Sequence, residues 1–329
     1  MKPYLPKSEQ GFSLIELMIA IGLGILVVGA TLAIFSTNKN TYVASENVGR
    51  IQENARAAFE IMGRELREAG GNPCSNSANP ELQIPTVVVL NSAASNWWSN
   101  WTNPVFGYEN GALAGTAAGT DAIEVKSATG AYYTVTANNT GGSTFTLNTA
   151  TNDLAVNDIL MVCDFVEAAI FQKTSGSGAT VTYASGAGSP GNCTSNLGRP
   201  PSGTATCSST VSYQFQPNSV MSRMSSAQWY LADNGRNGGR SLYRRTVRAG
   251  VATVEEIAEG VRNMQVTYLL SGAVPSYENA ATITTAGRWL DVTAIRVDLT
   301  MEGTENIGTN DQRLVRNMST VVALRNRNE

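Results

Sequence analysis

The sequence predicts an α+β protein in which one long amino-terminal helix is followed by an antiparallel, β-rich globular domain. Residues 12–35 form a predominantly apolar run with a single ionisable side chain, Glu16. Apolar residues then recur every three or four positions over 48–69, which is typical of an amphipathic helix. After Pro73 the pattern changes to short apolar runs separated by Gly, Asn and Asp, which indicates strands joined by turns.

The first element is long enough to cross a bilayer. As a helix, residues 12–35 would extend about 36 Å, and the hydrocarbon core is about 30 Å thick. Lys2 and Lys7 precede the segment and favour a cytoplasmic amino end. A cleaved secretory signal would have a shorter apolar core and a small-residue cleavage site, which residues 36–39 do not offer. A plain anchor fits the length but gives no reason for Glu16, because a central carboxylate costs about 2.5–3.5 kcal/mol, and less near the interface.

The helix is expected to continue beyond the membrane segment. The apolar stripe consists of Val48, Ile51, Ala55, Ala58, Met62, Leu66 and Ala69. Gly70, Gly71 and Pro73 then supply a glycine stop signal and a following proline. We therefore predict one helix over 12–69, with its second half packed on a sheet.

The remainder of the chain is predicted to be β structure. We predict strands at Thr86–Leu90, Ala122–Lys126, Tyr132–Ala137, Thr144–Asn148, Ile159–Cys163, Ala168–Lys173, Thr180–Tyr183, Thr210–Gln216, Ala227–Leu231, Leu242–Thr246, Val261–Leu270, Ala294–Thr300 and Thr320–Leu324. Two segments are predicted to be surface insertions: 91–119, which contains Trp97, Trp98 and Trp101, and the Gly/Ser/Thr-rich, mobile 174–206. The tryptophans either pack within their loop or form a contact patch for a neighbouring subunit.

The four cysteines favour disulfides over a metal or redox site. No CxxC occurs, and an even count behind an export-like start is typical of an oxidising compartment. Cys193 and Cys207 bracket part of the flexible insertion, where a local disulfide would limit its freedom. That leaves Cys74 with Cys163, which would pin the sheet to the end of the helix. Three connectivities are possible, and this one is favoured.

Composition argues against several function classes. The chain of 329 residues has a formal net charge of −3 and no long basic run, so no nucleic-acid partner is predicted. It has no histidine, which removes the commonest general base and most zinc ligand sets. We expect no catalytic residues, no metal and no cofactor. A membrane-anchored periplasmic enzyme stays a remote alternative.

The stretch GFSLIE, with Gly11 before Phe12 and Glu16 four residues further on, resembles the type III signal of type IV pilins and pseudopilins. The resemblance implies that a prepilin peptidase and N-methyltransferase removes the leader 1–11 and methylates Phe12. It also gives Glu16 a role, because the carboxylate can meet the new terminal amine of a neighbouring subunit within a filament. The implied organisation is a filament-core helix over 12–35, its amphipathic continuation over 36–71, and a periplasmic domain over 72–329 in a pilin-like fold.

Later blocks resemble the PilW minor pilins, namely REAGGNPC at 67–74, DILMVCDFVEAAIFQ at 158–172, SAQWYLADNGRNGGRSLYRR at 226–245, EEIAEGVRNMQVTYLL at 255–270 and the closing VVALRNRNE. The minor pseudopilin J of type II secretion has a related layout and is the close alternative. The resemblance implies a minor pilin in a tip-located complex that primes pilus assembly and supports adhesion and twitching motility. Its partners would be other minor pilins, the major pilin and possibly a large tip adhesin. It would start in the inner membrane, with the amino end cytoplasmic, and finish at the pilus tip.

Overall fold

The computed structural model describes residues 11–74, 84, 86–186, 188–201, 206–236, 238–272, 275–306 and 312–325. The leader lysines Lys2 and Lys7 therefore lie outside the described residues. The chain divides into two compact units. The first comprises residues 1–50 and 303–314, and the second comprises 51–302 and 315–329.

One helix, α1 (Leu14–Glu68), runs through 55 residues without a break. It begins two residues later and ends one residue earlier than predicted. Its carboxyl end is closed by Gly70, which has a positive φ of 78° and donates its N–H to the carbonyl of Lys126 at 2.9 Å. The glycine stop signal predicted from the sequence therefore ends the helix, and its hydrogen bond connects the helix end to a strand of the second unit.

The second unit contains a ten-stranded sheet built from β1 (Thr86–Val88), β2 (Val105–Tyr108), β3 (Ala122–Asn139), β4 (Thr144–Leu147), β5 (Ile159–Cys163), β6 (Ala168–Gln172), β7 (Thr180–Thr182), β8 (Val220–Asp233), β9 (Arg240–Arg248) and β10 (Val251–Glu259). The main order is β1-β6-β5-β8-β3-β4-β7. Strand β2 pairs with β3, and β9 connects β8 to β10. All of these pairs are antiparallel, as the sequence predicts, except that β1 pairs with β6 in parallel at one edge.

A second sheet has four strands in the order β12-β11-β13-β14. These are β11 (Val261–Leu270), β12 (Tyr277–Glu278), β13 (Val292–Glu302) and β14 (Val315–Ala323). A short helix, α2 (Ala280–Ala286), lies between β12 and β13. The side chain of Asn279 caps it by accepting the N–H of Thr282 at 2.9 Å, and Gly287 ends it with a φ of 66°. The sequence analysis overlooked this helix, although both cap signals are present.

The core of the second unit contains the predicted helix stripe. Ile51, Ala55, Ala58, Met62, Leu66 and Ala69 are all at most 3% exposed. An aromatic cluster forms a further part of the core, where Phe145 packs against Phe171, Tyr183 and Phe215 with ring centroids 4.7–5.9 Å apart. The α+β architecture of a long helix followed by a β-rich domain is therefore confirmed.

Two strand predictions failed for identifiable reasons. Ala122–Lys126 and Tyr132–Ala137 are one strand, β3, because the glycine between them forms a bulge rather than a turn; Gly130 has a φ of 81°. Thr210–Gln216 is not a strand. Its backbone bonds partly to side chains instead, since Phe215 donates its N–H to the Asn138 amide oxygen at 3.1 Å.

The two predicted insertions are more integrated than expected. The first contains β2, which pairs with the start of β3, and Trp98 and Trp101 pack against a buried cluster that includes Met161. Loop packing is thus confirmed for these two tryptophans. Within the second, Asn192 is fully buried and its amide exchanges two hydrogen bonds of 2.7 and 2.8 Å with the backbone of Gln172, so a side chain extends the sheet.

Candidate functional site

The start of α1 is set by Ser13. Its hydroxyl accepts the N–H of Glu16 at 3.2 Å, and its carbonyl accepts the N–H of Leu17 at 3.1 Å. Ser13 is therefore the N-cap, and Gly11 and Phe12 precede the helix in an exposed segment without regular secondary structure. A peptide bond between Gly11 and Phe12 that lies outside the helix is accessible to a peptidase without unwinding the helix.

Glu16 occupies the third helical position, so Ser13 and Glu16 match the spacing of a capping box. In a complete capping box the Glu side chain accepts the N–H of the N-cap residue. Among the described residues, the Glu16 side chain makes neither that bond nor an ion pair. A carboxylate here is also favoured by the positive end of the helix dipole. Its location in the first turn, exposed and four residues from Phe12, leaves it available to another chain.

The apolar half of α1 is exposed on all sides. Its most hydrophobic window has a mean hydropathy of 2.6 and is 0% buried, so this helix is long and apolar enough to span a membrane. Phe12 is 84% exposed, and the large apolar side chains that follow it up to Phe35 are exposed as well. Such a continuous apolar surface needs either lipid or other apolar helices around it.

The glycines of this half make no close contact inside the chain. A Cβ added at Gly22, Gly24 or Gly29 would meet nothing within 4 Å, and the same is true at Gly11. Their small size therefore serves no packing within this chain. It would allow close approach of another helix.

The second half of α1 is joined to the large sheet by a charged contact. The Glu65 carboxylate accepts the indole N–H of buried Trp229 at 2.8 Å and pairs with Arg244, which also pairs with Glu255 at 3.1 Å. Burial lowers the pKa of Arg244, but its bonds to Glu65 and Glu255 outweigh this and raise it overall. The sequence analysis did not identify this contact. Trp229 and Arg244 fall within the predicted strands Ala227–Leu231 and Leu242–Thr246, but no local pattern connects them to Glu65.

A buried ion pair lies on β3. Lys126 bonds to Glu124 two residues earlier, and both side chains are at most 4% exposed. The other Glu124 oxygen accepts the hydroxyl of Tyr108 at 2.8 Å and the amide of Gln228 at 2.9 Å. Burial lowers the pKa of Lys126, and the nearby Glu124 opposes that shift. Tyr108 lies on β2 and Gln228 on β8, so the network fixes the register of these two strands against β3. Sequence reasoning missed it.

The structure joins Cys74 to Cys163 and Cys193 to Cys207, with Cα atoms 5.7 Å apart in each pair. The first bridge links the segment after α1 to the end of β5. The second closes a loop that begins within 174–206, the segment predicted from the sequence to be a mobile insertion. Within the described residues, no group of three or more His, Cys, Asp or Glu side chains could hold a metal ion.

Two family models match the sequence. Residues 228–326 match the model described as type IV pilus-assembly protein W, PilW, and residues 6–32 match the prokaryotic N-terminal methylation motif. No curated protein and no solved structure matches the chain significantly. The first match covers the end of β8 and β9 to β14, and the second covers Gly11, Phe12, Glu16 and most of the exposed apolar half of α1.

Proposed function

We propose that the chain is a type IV pilin of the PilW family, a minor pilin that helps to start pilus assembly from the inner membrane. The observation that carries this proposal is Glu16, a lone carboxylate in an exposed apolar helix that begins just after Gly11 and Phe12. The proposed function divides the chain into a leader over 1–11, a core helix over 12–35, its continuation over 36–71 and a periplasmic domain over 72–329.

Processing is the first step. A prepilin peptidase cuts after Gly11, and Phe12 is then methylated on its new amino group. The exposed location of Gly11 and Phe12, before the helix begins, supports access of the peptidase to this bond. The transmembrane orientation, with the amino end cytoplasmic, accords with Lys2 and Lys7 in the leader.

Assembly then brings together two charges, each of which alone is unfavourable in apolar surroundings, as one ion pair. The new amine of Phe12 lies at the positive end of its own helix dipole, so it is poorly placed without a counter-charge. When helices of two subunits pack, Glu16 of one meets the amine of Phe12 of the other in a low-dielectric bundle. Such a pair adds little stability, but it selects one axial register, because any other register buries both charges unpaired.

Starting a fibre is harder than extending it, which is why a dedicated initiating subunit is useful. Withdrawing the exposed apolar helix from lipid is unfavourable for a single chain, whereas several staggered helices cover one another. We propose that this chain forms such a cluster with other minor pilins, keeps its large domain at the tip, and contacts the major pilin and a tip adhesin there. Adhesion and twitching motility would depend on it through the pili.

The minor pseudopilin J of type II secretion is the second candidate, because the methylation motif accords with either system. The match of the carboxyl-terminal third to the PilW model favours the pilus. A membrane-anchored enzyme is disfavoured by membership of a structural family, and we assign no catalytic step to the chain.

Mechanical shearing of cells distinguishes the pilus proposal from the secretion and enzyme alternatives. Cells carrying the full-length gene are sheared, and the fibre and inner-membrane fractions are probed for the chain. A minor pilin appears in the fibres without residues 1–11, and deletion of its gene reduces surface pili. A chain that stays at full length in the membrane contradicts the proposal. Loss of protein secretion with normal piliation would instead support the secretion system.

A further inference from the structure

One edge of β8 has a gap in its pairing near the middle of the ten-stranded sheet. Along its other edge, β8 pairs with β3 from Val220 to Trp229. On the side of the gap, β5 pairs with β8 only as far as Arg223, and β9 pairs with β8 only from Ala227 onward. Among the residues that the structure describes, 224–226 therefore have no strand beside them at this edge.

The pairing with β3 determines which backbone groups face the gap. Lys126 on β3 donates its N–H to Pro104 at 2.8 Å and accepts the N–H of Gly70 at 2.9 Å, so both of its backbone groups point away from β8. Its partner Ser226 therefore directs its own backbone groups away from β3 and into the gap. Met224, two residues earlier on the same strand, has the same orientation.

Two of these backbone groups have no strand partner. The last hydrogen bond of each flanking ladder uses the Met224 N–H on the side of β5 and the Ser226 carbonyl on the side of β9. The Met224 carbonyl and the Ser226 N–H remain, although these residues are only 8% and 3% exposed and buried backbone groups are nearly always paired. A single residue of a parallel extended chain would satisfy both groups, one through its N–H and the other through its carbonyl.

A cavity of about 190 Å³ lies at this gap, and its lining includes Met224, Ser226 and the side chain of Trp98. The start of β5 and the end of β9 bound it along the strand direction. The backbone N–H of Ala249 bonds to the Asp158 carboxylate at 3.2 Å and connects these two strand ends. A strand cannot run through a space bounded in this way, so only the end of a chain can place backbone groups against β8 here.

The lining charges favour a carboxyl terminus over an amino terminus. The lining contains one acid, Asp158, and three arginines, namely Arg223, Arg244 and Arg248. The Asp158 oxygens already accept backbone N–H groups, from Ala155 at 2.8 Å and from Ala249 at 3.2 Å. A terminal ammonium would therefore meet mainly positive charge, whereas a carboxylate would meet hydrogen-bond donors.

Arg248 has the most donors left for a ligand. Arg223 pairs with Asp153 at 2.7 Å, and Arg244 pairs with acids on α1 and β10. Arg248 instead donates to a neutral group, the carbonyl of Asp153, at 3.1 Å. Because a guanidinium carries five N–H groups, this bond leaves donors for a carboxylate at the cavity.

We propose that Met224, Ser226 and Arg248 form a slot that binds the free carboxyl terminus of an extended peptide. The last residue of the peptide donates its N–H to the Met224 carbonyl, and its carboxylate accepts the Ser226 N–H and a guanidinium N–H of Arg248. Capture of a terminal carboxylate by backbone N–H groups is an established mode of peptide recognition. The inference goes beyond the proposed function and does not depend on it.

A mixed-sequence pool of synthetic hexapeptides tests the inference on the full-length chain in detergent. The pool is made once with free carboxyl termini and once, with a different isotope label, with amidated termini. The peptides retained by the immobilised chain are quantified by mass spectrometry. The inference predicts that free termini are retained about tenfold more than amidated ones, the effect of losing a hydrogen bond to a charged group. Equal retention of the two forms, or retention of neither, would overturn it.

Substitutions locate the binding. Ser225→Phe places a bulky side chain in the lining of the cavity and should abolish the preference for free termini. Ser319→Phe, the same change at an exposed position on β14, should leave the preference unchanged. Arg248→Gln should lower it by about tenfold, and because Arg248 is exposed the domain should stay folded, which urea unfolding of each variant checks. A preference that persists in both Ser225→Phe and Arg248→Gln would place the binding elsewhere and overturn the inference.

Discussion

At the scale of single residues, two carboxylates in apolar surroundings differ in whether the chain itself supplies a counter-charge. Glu124 is buried with Lys126, Tyr108 and Gln228 around it, so its charge is compensated within the chain. Glu16 lies on an exposed apolar helix and has no ion-pair partner among the described residues. A charge left uncompensated in a segment destined for an apolar environment implies a partner on another molecule.

Replacing Glu16 distinguishes a local role from an assembly role. Either Glu or Gln can complete a capping box, so a purely local role predicts that Glu16→Gln is tolerated. A charge pair with the Phe12 amine predicts that Glu16→Gln loses assembly as badly as Glu16→Ala, by tenfold or more in sheared fibres (about 1.4 kcal/mol per factor of ten). Glu46→Ala, which removes another acid from the same helix, is the control. Normal incorporation of Glu16→Gln would refute the pairing.

Gly11→Ala tests the cleavage site. A Cβ at Gly11 meets nothing within 4 Å in this chain, so the substitution leaves the fold undisturbed. Any loss of processing then reports the peptidase, and we expect the leader to remain attached. Gly22→Ala, which is equally open, should be processed normally. The readout is the mass of the membrane-bound chain, and full cleavage of Gly11→Ala would show that the bond lies elsewhere.

At the scale of elements, α1 is an anchor for the large domain as well as a membrane segment. Its small residues Ala55 and Ala58 are almost fully buried, and Glu65 bonds to both Trp229 and Arg244. Beyond the helix, the bridge from Cys74 to Cys163 fixes the chain to β5. These contacts hold the carboxyl end of α1 against the ten-stranded sheet.

The contact at Glu65 should be a measurable part of domain stability. Glu65→Ala leaves the buried indole N–H of Trp229 without an acceptor and Arg244 with one carboxylate fewer. We expect the free energy of unfolding to fall by about 1–3 kcal/mol. Glu68→Ala, an exposed acid on the same helix, should change it by less than about 0.5 kcal/mol. Urea unfolding of the full chain in detergent measures both, and equal losses would contradict the assignment.

The two disulfides should differ in their effect on stability. The bridge Cys74–Cys163 closes a loop of 89 residues and Cys193–Cys207 one of 14. Chain entropy predicts a loss of about 4–5 kcal/mol when the first pair is replaced by serine and about 3 kcal/mol for the second. Denaturant unfolding of the two double variants tests the order. A larger loss from the shorter loop would show that native contacts, not loop closure, dominate.

At the scale of the whole molecule, the sequence predicted what local patterns control. The long helix, the strands Ile159–Cys163 and Val261–Leu270, and the end of the helix at Gly70 all follow from periodicity and glycine placement. Other features depend on distant partners. Asn192 is buried because it bonds to Gln172, and Phe215 leaves the ladder because Asn138 accepts its N–H.

The candidate site divides in the same way. Gly11, Phe12 and Glu16 are identified from their spacing, because the methylation motif is a linear pattern within residues 6–32. The contact of Glu65 with Trp229 and Arg244 could not be identified, because it joins the helix to two strands that lie far along the chain.

The central claim is that this chain is cut after Gly11 and enters a pilus through its helix. Mass spectrometry of the amino-terminal peptide, taken from the chain recovered in sheared fibres, tests it most directly. The account predicts a peptide that begins with N-methylated Phe12. A peptide that still begins at Met1, in a chain recovered from assembled fibres, would contradict it.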